Sequence, residues 1–363
     1  MLAAERHERI LAALRANGTV RLADLATRLA VTPVTVRRDV TVLADKGLLE
    51  RVHGGVTLPR RVRPMTAEPP PARSVFGTLA AQTLIGMVTP SVDYYWPQII
   101  KGAQAATAEA GGRLALRGSN YDPEEDRRQV TRLLERGVRT LLIAPTIDGK
   151  AGLDLLRWLW SLTIPVVLME RVPPPELPVL GLDAAFTAHS LGAGLAVRHL
   201  VTLGHQRVGL VTIGHSPTTR ALRAGWEQAT ASLGLTPGPD ESVPAYGSPG
   251  WAAAYDTVVW KCLDMGVRAV LVHADREAIG IVERARDLGL TVPGDLAVVA
   301  YDDEVAAAAD PPLTAVRTPR RRLGATAVQL ALARLADEPD RPVHHVELWP
   351  MLMVRESCGA ASE

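Results

Sequence analysis

The sequence predicts an α/β protein in two parts: a small winged helix-turn-helix head and a larger body of parallel, doubly wound sheets in two lobes. Three observations carry this reading. Residues 1–57 hold three helix-length apolar patterns followed by a short strand pair. From Thr83 onward, short β-rich runs alternate with helical stretches, as in parallel strands joined by covering helices. Between the two, residues 58–77 contain five prolines and no apolar periodicity, which predicts an extended linker over 58–82. A chain of 363 residues is long enough for two or three domains with separate cores.

In the head, Ile10, Leu11 and Leu14 fall at helical spacing, and Asn17-Gly18 ends that run. A short Thr19-Val20 follows, then a second helix with Leu22, Leu25, Ala26 and Leu29 on one face. Thr32 is a good N-cap and Pro33 suits the first helical position, where its missing N–H costs nothing. The third helix runs to about Lys46, stopped by Gly47, with Val36, Val40 and Leu43 on its core stripe. Val34, Arg38, Thr41 and Asp45 take the opposite face, with Thr35 and Arg37 at its edges. The segment LLERV and the residues after Gly54-Gly55 predict a two-stranded wing.

Charge separates the parts. Residues 1–63 carry 12 Lys or Arg against 6 Asp or Glu, while the whole chain is only +1. A basic head on a mildly acidic body implies a polyanion partner for the head alone. The third helix has the means to read DNA. Arginine donates bidentately to guanine, and threonine reaches base edges or the thymine methyl in the major groove. The residues expected at the duplex are Thr32, Val34, Thr35, Arg37, Arg38 and Thr41, with Arg51 and His53 from the wing. Asp39 is expected to pair with a nearby arginine.

In the body, LIGMV, RLALR, TLLIAP, PVVLME, RVGLVTI, AVLVHA and LAVVAYD read as strands, with helices expected at 123–136, 184–203, 218–234 and 275–288. So many strands suggest two lobes facing across a cleft, and ligands bind beyond the carboxyl ends of such strands. Aromatic and hydrogen-bonding residues stand there: Tyr95 and Trp96 after the first strand, Arg220 and Arg223 after RVGLVTI, Trp251 after VPAY, and Asp275 after AVLVHA. Flat aromatics stack on sugar or purine rings while Asp and Arg grip hydroxyls. Each aromatic taken singly could equally be core. Gly192 and Gly194 are expected to serve close helix packing.

Other chemistries lack their residues. There is no GxSxG, HExxH or Walker A lysine, so no enzyme, metal or cofactor is expected. Two distant cysteines give no disulfide framework. No apolar run is long enough for a bilayer, and MLAAERHERI carries charge where a signal peptide needs apolar residues, so a cytoplasmic protein away from membranes is expected.

Two resemblances sharpen this reading. Leu25-Ala26, Thr35-Val36-Arg37-Arg38-Asp39, Leu43, Gly47 and Arg51-Val52-His53-Gly54-Gly55 resemble the DeoR-type winged helix of bacterial repressors, over residues 5–57. The usual serine before the recognition helix is replaced by Thr32-Pro33. From 83 to 355, IGMVTP, IPVVLMER, HLVTLGHQRVGLV, RAGWEQA, GLTVPGD, VVAYDDE, PPLTAVRTP and a Leu323-Gly324 helix resemble the effector-binding body of LacI/GalR regulators. That body shares the type I periplasmic-binding-protein-like fold. The resemblance implies a homodimeric repressor that binds a DNA operator and senses a sugar, or alternatively a purine or nucleoside, through Tyr95, Trp96, Trp251 and Asp275. A transport binding protein is the rival of a different class. Leu222 stands where the family carries its ligand arginine, flanked by Arg220 and Arg223, either of which could face the cleft. Ala274 replaces the asparagine before Asp275. No hinge helix is legible in 58–77. The expected lobes are 83–181 with 302–322, and 182–301 with 323–355, within a body spanning 83–363.

Overall fold

The computed structural model describes residues 6–57 except 8, 11–12, 15–18, 30, 46–48 and 53–54. It also describes 83–360 except 175–176, 178–180, 215 and 337–340. The chain divides into two units, Met1–Arg73 and Ser74–Glu363. The expected linker at 58–82, the stops at Asn17-Gly18 and Gly47, and His53 lie outside the described residues.

In the head, strand β1 (Thr19–Arg21) leads into α1 (Leu22–Leu29) and α2 (Pro33–Asp45), and β2 (Glu50–Val52) and β3 (Gly55–Thr57) follow. The core is the predicted one: Ile10, Leu14, Leu25, Leu29, Val36, Val40 and Leu43 pack together with Leu49 and Val56. The sheet order is β1-β3-β2, so the wing has three strands rather than two. Val20 stands opposite Val56 in the ladder, and both are buried in the same core. Thr32 caps α2, its Oγ1 accepting from the Thr35 N–H at 3.3 Å. Asp39 is almost fully buried, held by Arg6 Nε at 2.8 Å and near His7 Nε2 at 3.1 Å.

The body contains two six-stranded sheets. The first uses β4 (Leu84–Thr89), β5 (Arg113–Gly118), β6 (Thr140–Ile143), β7 (Val166–Met169), β8 (Asp183–Thr187) and β14 (His345–Leu348), in the order β14-β8-β7-β6-β4-β5. The second uses β9 (Gly209–Ile213), β10 (Asp240–Val243), β11 (Ala269–Val272), β12 (Ala297–Asp302), β13 (Thr314–Arg317) and β15 (Met351–Met353), in the order β10-β9-β11-β12-β13-β15. All neighbours pair in parallel except β13 with β15. The parallel strands are apolar on both faces, with β6, β7 and β11 wholly buried.

Two expectations change. Residues 183–187 are a strand completing the first sheet, and the helix begins only at His189. The lobe partition is also revised. β13 belongs to the second sheet, so most of 302–322 lies in lobe two. The helix α10 (Arg320–Ala336) packs with Leu323, Ala327 and Leu330 in the core of lobe one. The chain thus crosses between lobes after β8, after β13 and between β14 and β15.

Helix α3 (Trp96–Glu109) meets α10 so closely that glycine is required on both sides. A Cβ on Gly102 would stand 1.9 Å from the Arg321 carbonyl oxygen, and one on Gly324 would stand 2.0 Å from that of Ile99. Both obstacles are backbone, which cannot swing aside. Gly324→Val should therefore destabilise the body by about 1–3 kcal/mol. Urea unfolding should show a lower midpoint with an unchanged slope.

Candidate functional sites: the interlobe cleft and the third head helix

Backbone strain marks one place in the body. The non-glycine residues with positive φ are Tyr94, Asn120, Tyr121, Glu170, Asp302 and Asp303, with φ between 50° and 97°. They follow β4, β5 and β7 or end β12, at carboxyl ends of strands. Such conformations cost roughly 1–3 kcal/mol each and persist where surroundings force them, typically around sites. The same ends hold unsatisfied polar atoms. Thr89 Oγ1, Thr146 Oγ1, Thr212 Oγ1, His273 Nδ1 and Thr318 Oγ1 are buried without a hydrogen-bond partner. Buried polar groups are normally paired, so these fit a polar guest.

Glu170 is the best-satisfied acid of the cleft. Tyr95 Oη donates to it, Thr187 supplies its N–H at 3.0 Å and its hydroxyl at 2.8 Å, and His189 Nε2 lies 3.4 Å away. Burial would raise its pKa, but His189, Tyr95 and the Thr187 amide outweigh burial and hold it at about 2. A cavity of about 260 Å³ opens beside it, lined by Arg171, Thr187 and His189 and, from the second lobe, by Pro217, Thr218 and Ala221.

Asp302 is its opposite. It is 3% exposed, and His273 Nε2 stands 3.8 Å from its Oδ2, beyond hydrogen-bond reach. Burial and the neighbouring Asp275 raise its pKa well above the ordinary carboxylate value, with Arg320 opposing. Such a carboxyl keeps a proton to higher pH and can donate as well as accept. His273 is shifted by burial and the charge of His189 down to about 3, so it sits neutral.

The sequence-predicted residues divide. Tyr95 is half-buried, bonded to Glu170, and beneath Arg320, whose guanidinium carbon is 5.5 Å from the ring centre. Trp251 is half-buried at the start of its helix, packed on Tyr246 at 4.6 Å and Tyr255 at 5.2 Å. Three assignments, Trp96, Asp275 and Arg223, need correction. Trp96 is 3% exposed, within the core of lobe one, so it offers no stacking face. Asp275 is fully buried, its carboxylate accepting from the backbone N–H groups of Asp303, Glu304, Val305 and Ala306 at 2.5–3.2 Å. It holds a loop, with three of the four amides on Oδ2 and one on Oδ1. Arg223 is paired with Asp240 through two hydrogen bonds, one of 3.0 Å, and Arg220 is exposed. Leu222, at the family's arginine position, is core.

The residues sequence reasoning passed over are Glu170, Asp302 and Tyr94. Asp302 stands within the VVAYDDE motif, but its burial is set by the fold and leaves no mark on the local pattern. Tyr94 reaches the second lobe, its Oη accepting from the Asp275 N–H at 3.3 Å while Arg276 lies 5.1 Å over its ring.

In the head, α2 exposes Val34, Arg37, Arg38 and Thr41. The hydroxyls are largely spent: Thr35 Oγ1 and Thr32 Oγ1 share a 2.9 Å hydrogen bond, and Thr41 Oγ1 donates to the Arg37 carbonyl at 2.8 Å. Arg51 stands on β2. Among the described residues no His/Cys/Asp/Glu cluster could hold a metal, and no helix is long and apolar enough to cross a membrane.

Two measurements test the cleft. Asp275→Ala leaves four amides without their acceptor, that of Ala306 buried, and should cost about 1–3 kcal/mol of stability, seen as a lower unfolding midpoint. His273 titrates near 6.5 when unfolded but near 3 when folded. The unfolded state therefore binds the extra proton, and stability is lost as pH falls below about 6.5 by roughly 1.4 kcal/mol per pH unit from this residue. His273→Gln should flatten the fall between about pH 6.5 and 5 by that amount.

Comparison with known proteins agrees with the geometry. Residues 6–62 match the DeoR-like helix-turn-helix domain, and 197–358 match the periplasmic binding protein-like domain. The HTH-type transcriptional repressor PurR of Haemophilus influenzae is 29% identical over 280 residues, covering 75% of this chain and 80% of that protein. The arabinose metabolism transcriptional repressor of Geobacillus stearothermophilus is 26% identical over 344 residues, covering 92% and 89%. A crystal structure of a LacI family transcriptional regulator from Mycobacterium smegmatis superposes with a TM-score of 0.60 at 26% identity, covering 75% of this chain and 98% of that one. The chain thus carries a periplasmic binding protein-like domain preceded in sequence by a DeoR-like helix-turn-helix domain, and as a whole it resembles transcriptional regulators of the LacI type.

Proposed function

We propose that this protein is a cytoplasmic, homodimeric repressor of carbohydrate-utilisation genes that binds an operator with α2 and senses a neutral sugar in the interlobe cleft. The observation that carries the effector reading is Asp302, a carboxyl only 3% exposed at the end of β12, with the neutral His273 3.8 Å away and outside hydrogen-bond reach. A sugar hydroxyl can give and take a proton with such a group, and leaving it unpaired is expensive. The arginines nearby favour a neutral guest, because Arg317 and Arg355 are committed to Asp303 and Arg320 to Glu304. The relatives named above are repressors, which accords with a binding role and no catalysis. A nucleoside is the second reading, supported by the half-buried Trp251 against Tyr246, which would stack a base.

A thermal-shift panel of sugars, sugar phosphates and nucleosides separates these readings. A true effector at 100 times its Kd adds about 2.7 kcal/mol. Stabilisation by a sugar but by no phosphate ester is expected. Asp302→Asn should remove most of that shift and leave operator affinity intact. Arg37→Ala with Arg38→Ala should do the reverse, losing roughly 1–3 kcal/mol of operator binding for each base read while keeping the ligand shift. Operator affinity unchanged in that double variant would sink the DNA assignment.

A further inference from the structure

Among the described residues, Val34 is the most exposed of the large hydrophobics, at 73%. It sits one residue after Pro33, on the first turn of α2. Valine is a poor helix former, and on a solvent face it gains nothing from packing. The same face continues at i+4 with Arg38 and at i+7 with Thr41, both exposed, and it lies opposite the buried stripe of Val36, Val40 and Leu43. The nearby hydroxyls cannot take over base recognition at this end. Thr32 and Thr35 bond one another, and Thr41 bonds its own helix, so it offers its methyl outward. The surface at the head of α2 is thus an isopropyl group followed by a guanidinium.

We propose that Val34 reads the 5-methyl group of a thymine neighbouring a guanine read by Arg38. This rests on the DNA-binding reading above and deepens it. The chemistry is specific. Among the bases of DNA, thymine alone presents a methyl group in the major groove, and only apolar contact recognises it. Burying one methyl is worth roughly four-fold in affinity. Val34 therefore sets a preference for T over C at one position of each half-site.

The full-length protein would be used to enrich duplexes from a random pool at low salt. Each thymine of the winning half-site would then be replaced singly by deoxyuridine, which removes only the methyl. One replacement should weaken binding about four-fold per half-site, and the loss should vanish in Val34→Ala, which also binds the parent operator more weakly. Val34→Thr, which keeps a methyl, should recover part of the discrimination. If duplexes are enriched and bound but every deoxyuridine is neutral, or if the loss persists in Val34→Ala, the assignment is overturned and DNA binding stands. If no sequence is enriched, both readings fall. Alanine is the better helix former, so the Val34→Ala head should fold, and an unchanged thermal unfolding midpoint would verify that it does.

Discussion

A carboxylate without access to solvent holds four consecutive backbone amides, and the geometry of the cleft follows from it. Asp275 opens its helix and turns the chain after β12 back on itself by accepting from residues 303–306. Burial raises its pKa, and the amides oppose that by favouring the charged form. The loop so gathered forces Asp302 to φ 97° and Asp303 to φ 55°. Asp303 then receives Arg317 at 2.6 Å, at the end of β13 where the chain crosses between the lobes, and Arg355 at 2.8 Å, just past β15. From the other lobe, Tyr94 accepts the N–H of Asp275. One carboxylate therefore ties the strained turn, a crossover and an interlobe contact into a single unit.

The two cleft acids illustrate how satisfaction decides chemistry. Glu170 and Asp302 are both buried, so both pay for desolvation. Glu170 is surrounded by donors and ends far more acidic than a free carboxylate. Asp302 has another carboxylate for a neighbour and ends less acidic. The first is finished: it fixes Tyr95, Thr187 and His189 around the first crossover. The second is left open. A guest bonding to Asp302, as proposed, would pull on a loop fastened through Asp303 and Arg317 to the crossing after β13.

Much of this was legible. Helical and alternating periodicities named the strands and the head's core, because burial imposes those periods on the sequence. Boundaries failed where burial is uniform. Residues 183–187 and the glycine-rich HSLGAGL helix are both apolar enough to merge into one stretch, so the strand was lost. The lobe partition failed because crossovers leave no trace in local pattern. Asp275 was the instructive miss. An aspartate just beyond a strand looks like a ligand, and only the fold reveals that residues 303–306 return to occupy it. Trp96 failed similarly, since it turns into the core while Tyr95, the residue before it, bonds to Glu170.

The displaced arginine completes the electrostatic picture. The helix after β9 points its first turn at the cavity through Thr218, and its positive end already favours electron-rich groups there. A guanidinium at position 222 would add a full charge to that end. Leucine sits there instead and joins the core, while Arg223, one residue on, turns outward to Asp240. The neighbouring arginines near Asp303 and Glu304 are neutralised where they stand. What remains of fixed positive character is a helix terminus and the full charge of Arg171, which donates to the Glu170 carbonyl at 2.7 Å. The Glu170 carboxylate offsets that charge, so under the proposed reading the cavity would suit hydrogen-bonding oxygens that carry no net charge better than a dianionic phosphate.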